Sequence, residues 1–182
     1  FQLWSAGDAG YNANNLFRNS LAKYVLPSSA EWYKGAYGSP SGVWYNFSNG
    51  SDSAPTAVAG GTLLDTAVYN QGLFAGPADV YIAGGLSAYG TMGQGGNANE
   101  WTESAWDGVN NTAGENREMR GGFWLTDSTW IDVSQNYSYA PTTEIYFTGF
   151  RVASVGSVPE PSALSLLAVG LGGLAVMRRR RS

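Results

Sequence analysis

The chain has 182 residues and contains neither cysteine nor histidine, which excludes disulfide bonds, thiolate nucleophiles and imidazole general bases. Residues 1–157 carry six basic and thirteen acidic side chains. This negative balance repels phosphate backbones, so nucleic acid is not an expected partner. With 25 glycines, 7 tryptophans, 11 tyrosines and 7 phenylalanines, the composition predicts a loop-rich fold held together by aromatic packing.

Two short helices are predicted in the first part of the chain. Residues 12–24 fit a short helix. The run Ser28-Ser29-Ala30-Glu31 has the pattern of a capping box, in which Ser28 accepts from a backbone amide and Glu31 reaches back. This box predicts a helix of about nine residues that ends near Gly38.

The strands that follow are predicted to be short. Glycine, serine, asparagine and proline recur every few positions from Gly38 to Gly96, which leaves room only for brief strands. We expect two of these, at Val43–Phe47 and Ala67–Tyr69, and two longer strands later, at Arg117–Leu125 and Ile145–Ala153. Helix followed by strands, with a large irregular fraction, is typical of an α+β fold.

Residues 158–182 form a tail of a different character. Val158-Pro159-Glu160-Pro161-Ser162 is followed by the uncharged run Ala163–Met177 and then by Arg178-Arg179-Arg180-Arg181. Fifteen helical residues span only ~23 Å, less than the roughly 20 residues that cross a bilayer comfortably. Arginines directly after an apolar segment stay in the cytoplasm, so the chain before it should lie outside.

The order of these three parts resembles the PEP-CTERM sorting signal of Gram-negative bacteria. The resemblance implies that an exosortase reads the tail, and that the membrane is a partner through the C-terminal hydrophobic helix. It also implies export. The protein would be held at the inner membrane in transit and would then reach the cell surface or the extracellular matrix. The alternative is an ordinary C-terminal anchor.

Four segments in the body of the chain share a second resemblance. They read YVLPSSAEW, GNANEW, RGGFW and GFRV, and they occupy Tyr24–Trp32, Gly96–Trp101, Arg120–Trp124 and Gly149–Val152. In this order they resemble the blocks RLPTEAEWE, GNVWEW, RGGSW and GFRV of the formylglycine-generating enzyme (sulfatase-modifying factor) family. The resemblance implies a variant of the C-type-lectin-like fold, with two small sheets and much irregular structure.

The two resemblances divide the chain into three parts. Residues 1–153 are expected to form the sulfatase-modifying-factor-like domain, incomplete at its N-terminus because the family's usual first portion is missing and Phe1 is not a methionine. Residues 154–162 contain the linker and the sorting box. Residues 163–182 contain the hydrophobic helix and the basic end.

The family's oxidative chemistry is not available to this sequence. The aerobic enzymes hold copper(I) with two cysteines shortly after the glycine pair, because soft thiolates select that ion. Aligned on Gly121-Gly122, the two positions fall at Thr126 and Ile131, and neither is a thiol. The related iron-dependent branch needs histidines. We therefore expect no copper, no iron and no formylglycine-generating activity.

Calcium is the one cofactor that the resemblance leaves open. In the family, a turn binds calcium through one side chain, two backbone carbonyls and a glutamate, and these positions become Gly93, Gly96, Ala98 and Glu100. Gly93 has no side-chain oxygen, so the missing ligand would come from Asn97, Gln94 or water. The alternative is a glycine-rich turn in which Glu100 caps backbone amides. A second family site would fall at Asn70, with Asp79 as the weaker candidate.

Three further side chains have predicted structural roles. Trp32 and Trp101 are expected to be core aromatics, because each can bury roughly 150–250 Å². Arg151 lies in a strand of apolar neighbours, where a charge is costly unless it is paired. Its partner is predicted to be Glu31 or Glu100.

Two classes of function remain open at this stage. The first is a non-enzymatic surface protein whose loops bind a glycan, a peptide or a matrix component through aromatic side chains. The candidates are Trp101, Trp106, Trp130, Tyr137, Tyr139 and Tyr146. The second is an unrecognised hydrolase or transferase of the same fold, which would use carboxylates for general acid–base catalysis. Its candidates are Asp127, Asp132 and Glu144.

Overall fold

The computed structural model describes residues 3–154. It has one α-helix, eight short strands and one turn of 3-10 helix within that range. In chain order these are β1 (Tyr24–Val25), α1 (Ser29–Tyr37), β2 (Thr56–Ala57), β3 (Thr66–Ala67), β4 (Asn99–Ala105), β5 (Arg117–Arg120), the 3-10 helix (Ser128–Trp130), β6 (Tyr137–Tyr139), β7 (Thr148–Phe150) and β8 (Ala153–Ser154). The predicted C-terminal hydrophobic helix, residues 163–182, lies outside the described residues.

The main sheet has four strands in the order β6-β5-β4-β7. Strand β5 is antiparallel to both β4 and β6, whereas β7 runs parallel to β4. Two smaller sheets join β1 to β8 and β2 to β3. Small sheets connected by long irregular segments confirm the α+β, loop-rich fold that the sequence predicts.

Helix α1 begins and ends where its sequence predicts. The Ser28 hydroxyl accepts from the Glu31 amide at 3.2 Å, and the Glu31 carboxylate accepts from the Ser28 amide at 2.7 Å. The amide of Gly38 closes the last turn on the Lys34 carbonyl at 3.0 Å. The helix buries Trp32, with 1% of its surface exposed, together with Ala36 and Tyr37. Trp32 is therefore a core residue as predicted, whereas Trp101 is only partly buried.

The helix predicted at residues 12–24 is wrong. This segment is a series of turns ending in β1. Asparagine side chains explain the difference, since Asn12, Asn15 and Asn19 each accept from a backbone amide two residues further on. Such local bonds offer the backbone an alternative to the helical pattern.

The predicted strands are shortened where the backbone turns. Strand β5 ends at Arg120 because Gly121 and Gly122 have φ angles of +104° and +64°. The segment predicted as one strand at Ile145–Ala153 is divided, since β7 pairs with β4 and β8 pairs with β1. Between the two, the chain passes from one sheet to another.

The earlier strand predictions are only partly correct. At Val43–Phe47 there is no strand, only isolated bridges at Trp44 and Phe47. The strand predicted at Ala67–Tyr69 is reduced to β3, and Val68 and Tyr69 continue as buried irregular chain. No helix within residues 3–154 combines the length and apolar character needed to cross a membrane.

Candidate functional site

Glu100 and Arg151 form a partly buried ion pair beside α1. Arg151 Nε donates to Glu100 Oε2 at 2.5 Å and Arg151 Nη2 donates to Oε1 at 2.6 Å, so the contact is bidentate. The indole N–H of Trp32 donates to the same Oε2 at 2.6 Å. The predicted pairing of Arg151 is thus confirmed with Glu100 as the partner, while Glu31 pairs elsewhere.

The calcium site predicted at Gly96, Ala98 and Glu100 would share its one carboxylate with this ion pair. Both carboxylate oxygens of Glu100 already accept charge-assisted or indole hydrogen bonds, and the Arg151 guanidinium would repel a second cation. Calcium needs six to eight oxygen ligands. Within residues 3–154, no three carboxylates come close enough together to hold a metal ion. The two backbone carbonyls alone are too few.

The side chains that could replace the missing ligand are occupied as well. Asn97 Oδ1 accepts from the Ala78 amide at 2.7 Å, and its Nδ2 donates to the Ala78 carbonyl. Gln94 donates to the Trp32 carbonyl at 3.0 Å and accepts from the Thr91 hydroxyl. The calcium site at Gly96, Ala98 and Glu100 therefore stays a prediction.

The candidates for a second calcium site lie on the surface. Asn70 is exposed, has a φ angle of +54°, and its amide donates to the Thr126 carbonyl. Asp79 is exposed and accepts from the Tyr81 amide, which is a local turn contact. The structure thus places both residues in turns.

A cavity of about 460 Å³ opens on the other side of β4, and we call it the aromatic pocket. It is lined by the start of β4, the turn after Gly122, the 3-10 helix, β6 and the segment before β7. The lining residues are Asn99, Phe123, Leu125, Thr126, Asp127, Trp130, Tyr137, Tyr139 and Phe147. Its volume lies within the range of roughly 300–1,000 Å³ that is usual for small-molecule sites.

Two stacked ring pairs line the aromatic pocket. Trp130 and Tyr137 are parallel within 12° with their centroids 5.1 Å apart. Phe123 and Phe147 are likewise within 12° of parallel, with centroids 4.2 Å apart. Each pair joins residues from different segments of the chain, so the pocket depends on the tertiary fold.

The polar groups of the pocket differ in whether they have hydrogen-bond partners within the protein. The Thr126 hydroxyl donates to the Phe123 carbonyl at 2.7 Å and accepts from the Phe123 amide at 3.2 Å. Asp127 Oδ1 caps the 3-10 helix by accepting from the Thr129 amide and hydroxyl, and these hydrogen bonds lower the pKa of Asp127. The Tyr137 hydroxyl is buried without a hydrogen-bond partner among the described residues. Burial raises the pKa of Tyr137, so it stays neutral.

The fold brings together some of the predicted binding residues and separates others. Of the tryptophans and tyrosines predicted to bind a ligand, Trp130, Tyr137 and Tyr139 line the pocket, whereas Trp101 and Trp106 do not. Tyr146 stays close by, because its ring packs edge-on against Phe147. Phe123, Phe147 and Leu125 were not predicted from the sequence, since no local pattern distinguishes them from core residues.

Thr126 and Ile131, the two positions that the family resemblance aligns with copper-binding cysteines, also meet here. An ideal Cβ on Gly122 would stand 3.1 Å from Thr126 Oγ1 and 2.9 Å from Ile131 Cγ2, so both side chains lie against the same point. Thr126 lines the pocket, and Ile131 is buried behind it with 1% exposure. A hydroxyl and a hydrocarbon are not ligands for copper(I), which selects soft sulfur.

The three carboxylates considered for catalysis do not gather at one place. Asp127 lines the pocket. Asp132 accepts from the Ser134 amide and hydroxyl and is not part of the lining. Glu144 is exposed and likewise outside the lining. Of these three carboxylates, Asp127 alone lies in the lining of the aromatic pocket.

Arg18 is a structural residue that the sequence did not reveal. It donates to both carboxylate oxygens of Glu31, at 2.9 and 2.8 Å, and to Glu103 at 2.7 Å. The hydrogen bonds from Arg18 lower the pKa of Glu31 from 4.5 to about 2. Arg18 thereby ties the irregular N-terminal segment to α1 and β4.

The class of protein follows from the fold and the site together. Small sheets, a buried capped helix and a pocket beside the glycine pair define a formylglycine-generating-enzyme-type variant of the C-type-lectin-like fold. The model of the sulfatase-modifying factor enzyme 1-like domain matches residues 8–155. The chain belongs to this family.

The tail is matched in the same way. The model of the PEP-CTERM protein-sorting motif covers residues 157–181. The protein is therefore an exosortase-sorted protein, exported through the inner membrane to the cell surface of a Gram-negative bacterium, as the tail predicts.

Solved structures support the fold. The chain is similar to the Treponema denticola variable protein 1, with a TM-score of 0.52 and 19% identity over 73% of this chain and 48% of that one. It is also similar to CarF, with a TM-score of 0.51 and 18% identity over 76% of this chain and 50% of that one. The chain thus spans about half the length of each. No protein of curated function matches the sequence.

Proposed function

We propose that this protein is a non-catalytic, surface-displayed binding protein whose ligand is a glycan, a peptide or an extracellular matrix component. The observation that carries the proposal is the aromatic pocket, which lies where the family's thiol chemistry would take place but is lined by Thr126. A site that keeps its cavity and lacks its reactive groups can still bind. The C-terminal sorting signal delivers that binding domain to the outside of the cell.

The state of the pocket residues supports a role without catalysis. Thr126 uses its hydroxyl as both donor and acceptor within its own turn, so this hydroxyl serves the local backbone. The chain offers no cysteine or histidine to replace the missing thiols. Incubation of the protein with copper and a sulfatase-motif peptide is expected to leave the peptide cysteine unchanged. Formylglycine above a no-protein control would contradict this.

The lining of the pocket supports binding. Apolar rings with a few polar groups at fixed positions are typical of ligand sites. The Tyr137 ring contributes to this lining, stacked on Trp130.

Binding is tested with the full 182-residue chain on a glycan array and a peptide library. Trp130→Ala removes one wall of the pocket and is expected to abolish specific signals. Trp106→Ala is the matched control, because Trp106 is an equally large, exposed tryptophan outside the lining. If the binding signals survive Trp130→Ala but disappear with Trp106→Ala, the binding site lies outside the aromatic pocket. An empty screen would contradict a glycan- or peptide-binding role.

The role of the tail is tested separately. Replacement of Pro159-Glu160-Pro161 is expected to block processing while leaving membrane insertion intact, and replacement of Arg178–Arg181 by serine is expected to weaken retention. Immunoblotting of a tagged tail in hosts with and without an exosortase measures both. If the tag stays on surface-located protein in both hosts, the segment is an ordinary anchor.

A further inference from the structure

We propose that the aromatic pocket binds an organic cation, either a quaternary ammonium group or the charged end of a basic side chain. This inference rests on the proposed function, because it specifies the ligand of the same pocket. It follows from three properties of the lining: its rings, its single charge and the shortage of free polar groups.

The rings provide the main attraction. Five of the nine lining residues are aromatic, and they come as two stacked pairs with Tyr139 beside them. A stacked pair still has two outer faces, and the face of an aromatic ring carries negative potential that attracts cations. Because a tryptophan face binds cations most strongly, Trp130 is the leading contact.

The charge of the lining also favours a cation. Asp127 is the one acidic residue of the lining, and no lysine or arginine is among the nine residues. Its Oδ1 is occupied by Thr129, which leaves Oδ2 to meet a cation. A phosphate or carboxylate ligand would find no positive partner in this lining. A metal ion would find one carboxylate, whereas hard cations require about six oxygens.

The lining offers fewer favourable contacts to a neutral sugar than to a cation. Sugars need several hydrogen-bonding partners, yet the Thr126 hydroxyl is satisfied within its turn and Asn99 Oδ1 accepts from the Gly122 amide at 3.1 Å. The Oδ2 of Asp127 remains as an acceptor, and its negative charge favours an ammonium or guanidinium group over a neutral hydroxyl. The pocket therefore offers ring faces and a carboxylate acceptor, which together favour a cation.

The experiment compares a cation with a neutral molecule of the same shape. Choline and its isostere 3,3-dimethyl-1-butanol differ by one charge, so their relative affinities report charge recognition. Both are titrated into the full 182-residue chain, with tryptophan fluorescence as the readout. Nα-acetyl-arginine amide forms a second arm, which distinguishes a basic peptide side chain from a quaternary ammonium group.

Variants assign the binding to named residues. Asp127→Asn keeps the oxygen that caps the 3-10 helix, since asparagine is also a good cap, but it removes the negative charge. Trp130→Ala is expected to weaken cation binding roughly tenfold, in line with a desolvated cation–aromatic contact. Trp106→Ala is expected to leave the affinity unchanged. Thermal melts of each variant verify that it is folded.

Each outcome decides the proposal. Binding of choline or the arginine amide at least about tenfold tighter than the isostere, and weakened by Asp127→Asn, supports it. Equal binding of choline and the isostere overturns it, because the pocket then recognises shape alone. Glycan or neutral-peptide binding lost in Trp130→Ala, without cation binding, overturns the inference but leaves the proposed function intact. If no cation, glycan or peptide binds, both fail.

Discussion

The first two residues of β4 serve two regions of opposite character. Asn99 lines the aromatic pocket, whereas Glu100 is clamped by Arg151 and Trp32. Successive strand residues point to opposite faces, so a single peptide unit separates the two regions. On the Glu100 side, the charges of Glu100 and Arg151 are paired with each other. On the Asn99 side, the rings stack and a tyrosine hydroxyl has no hydrogen-bond partner among the described residues.

The contrast teaches how the domain divides its polar groups between stability and binding. Paired groups with short, charge-assisted hydrogen bonds hold α1, β4 and the segment after β7 together. An unpaired buried hydroxyl contributes nothing to that framework and costs free energy in the empty protein. Variants on the two sides should therefore have separable effects, on folding in one case and on ligand binding in the other.

The largest effect is expected from breaking the ion pair between Glu100 and Arg151, which we call the clamp. Arg151→Met leaves the Glu100 carboxylate, which is 11% exposed, without its cation. Removing one member of such a pair is expected to lower the free energy of unfolding by about 3 kcal/mol, measured by urea denaturation.

The matched control for the clamp is the double variant Glu100→Gln/Arg151→Met. It removes the charge as well as its partner, so part of the stability should return. If the single variant is as stable as the wild type, the clamp is not what holds this side of β4.

The glycine pair offers a second test, because each glycine faces one region. A Cβ on Gly121 would stand 2.9 Å from the Gln94 carbonyl oxygen and 3.2 Å from the Trp32 ring. A Cβ on Gly122 would meet Trp130 O at 2.8 Å and Thr126 Oγ1 at 3.1 Å. Each change to alanine is expected to cost about 2 kcal/mol of stability, and only Gly122→Ala should also weaken ligand binding.

The control for the glycine pair is Gly108→Ala. Gly108 has a φ angle of +80° but open space around its Cβ position, so this variant measures the backbone strain alone, about 1 kcal/mol. Equal losses at Gly108 and Gly121 would show that the close contacts do not matter.

A smaller effect is expected from pH. The folded-state pKa of Glu31 is about 2, below its ordinary 4.5, so the stability that Arg18 gives through Glu31 is complete above about pH 4.5. It is lost as the pH falls from 4.5 towards 2. Glu31→Gln should remove this part of the acid dependence, at a cost of no more than about 1 kcal/mol at neutral pH, since the Glu31 side chain is 48% exposed and its ion pair is screened by water. An unaltered acid profile would refute the assignment.

The smallest expected effect is that of calcium. Because Arg151 and Trp32 occupy the Glu100 carboxylate, millimolar calcium is expected to leave the melting temperature unchanged. An ion that binds only the folded state would raise it. A rise that Glu100→Ala abolishes would show that calcium displaces Arg151 and that the family site is functional.

The features that the sequence predicted well are either local motifs or pairings that the cost of an isolated charge requires. The capping box at Ser28 and Glu31 involves residues three apart, so the motif alone defines it. The pairing of Arg151 was predictable because an isolated charge among apolar residues is too costly. Its choice of Glu100 over Glu31 was not, since that depends on where β7 lies against β4.

What the sequence missed depends on long-range packing or on local competition. The stack of Phe123 on Phe147 joins two loops, and no spacing rule brings them together. The turns at residues 12–24 replaced a predicted helix because asparagine side chains bond to nearby amides. Trp130 and Tyr137 were predicted as ligand-binding candidates, but their mutual stacking became visible only in the fold.

The pairing of β1 with β8 has a mechanical consequence. The sorting motif begins at residue 157, three positions after β8, so any pull on the tail enters the domain at Ala153–Ser154. Strand β8 pairs with Tyr24–Val25 over only two residues, so we expect this pairing to break first. The next firm attachment along the chain is Arg151, which its two hydrogen bonds to Glu100 fasten to the main sheet. The Glu100–Arg151 ion pair therefore lies between β8, where such a force would enter, and the aromatic pocket on the far side of β4.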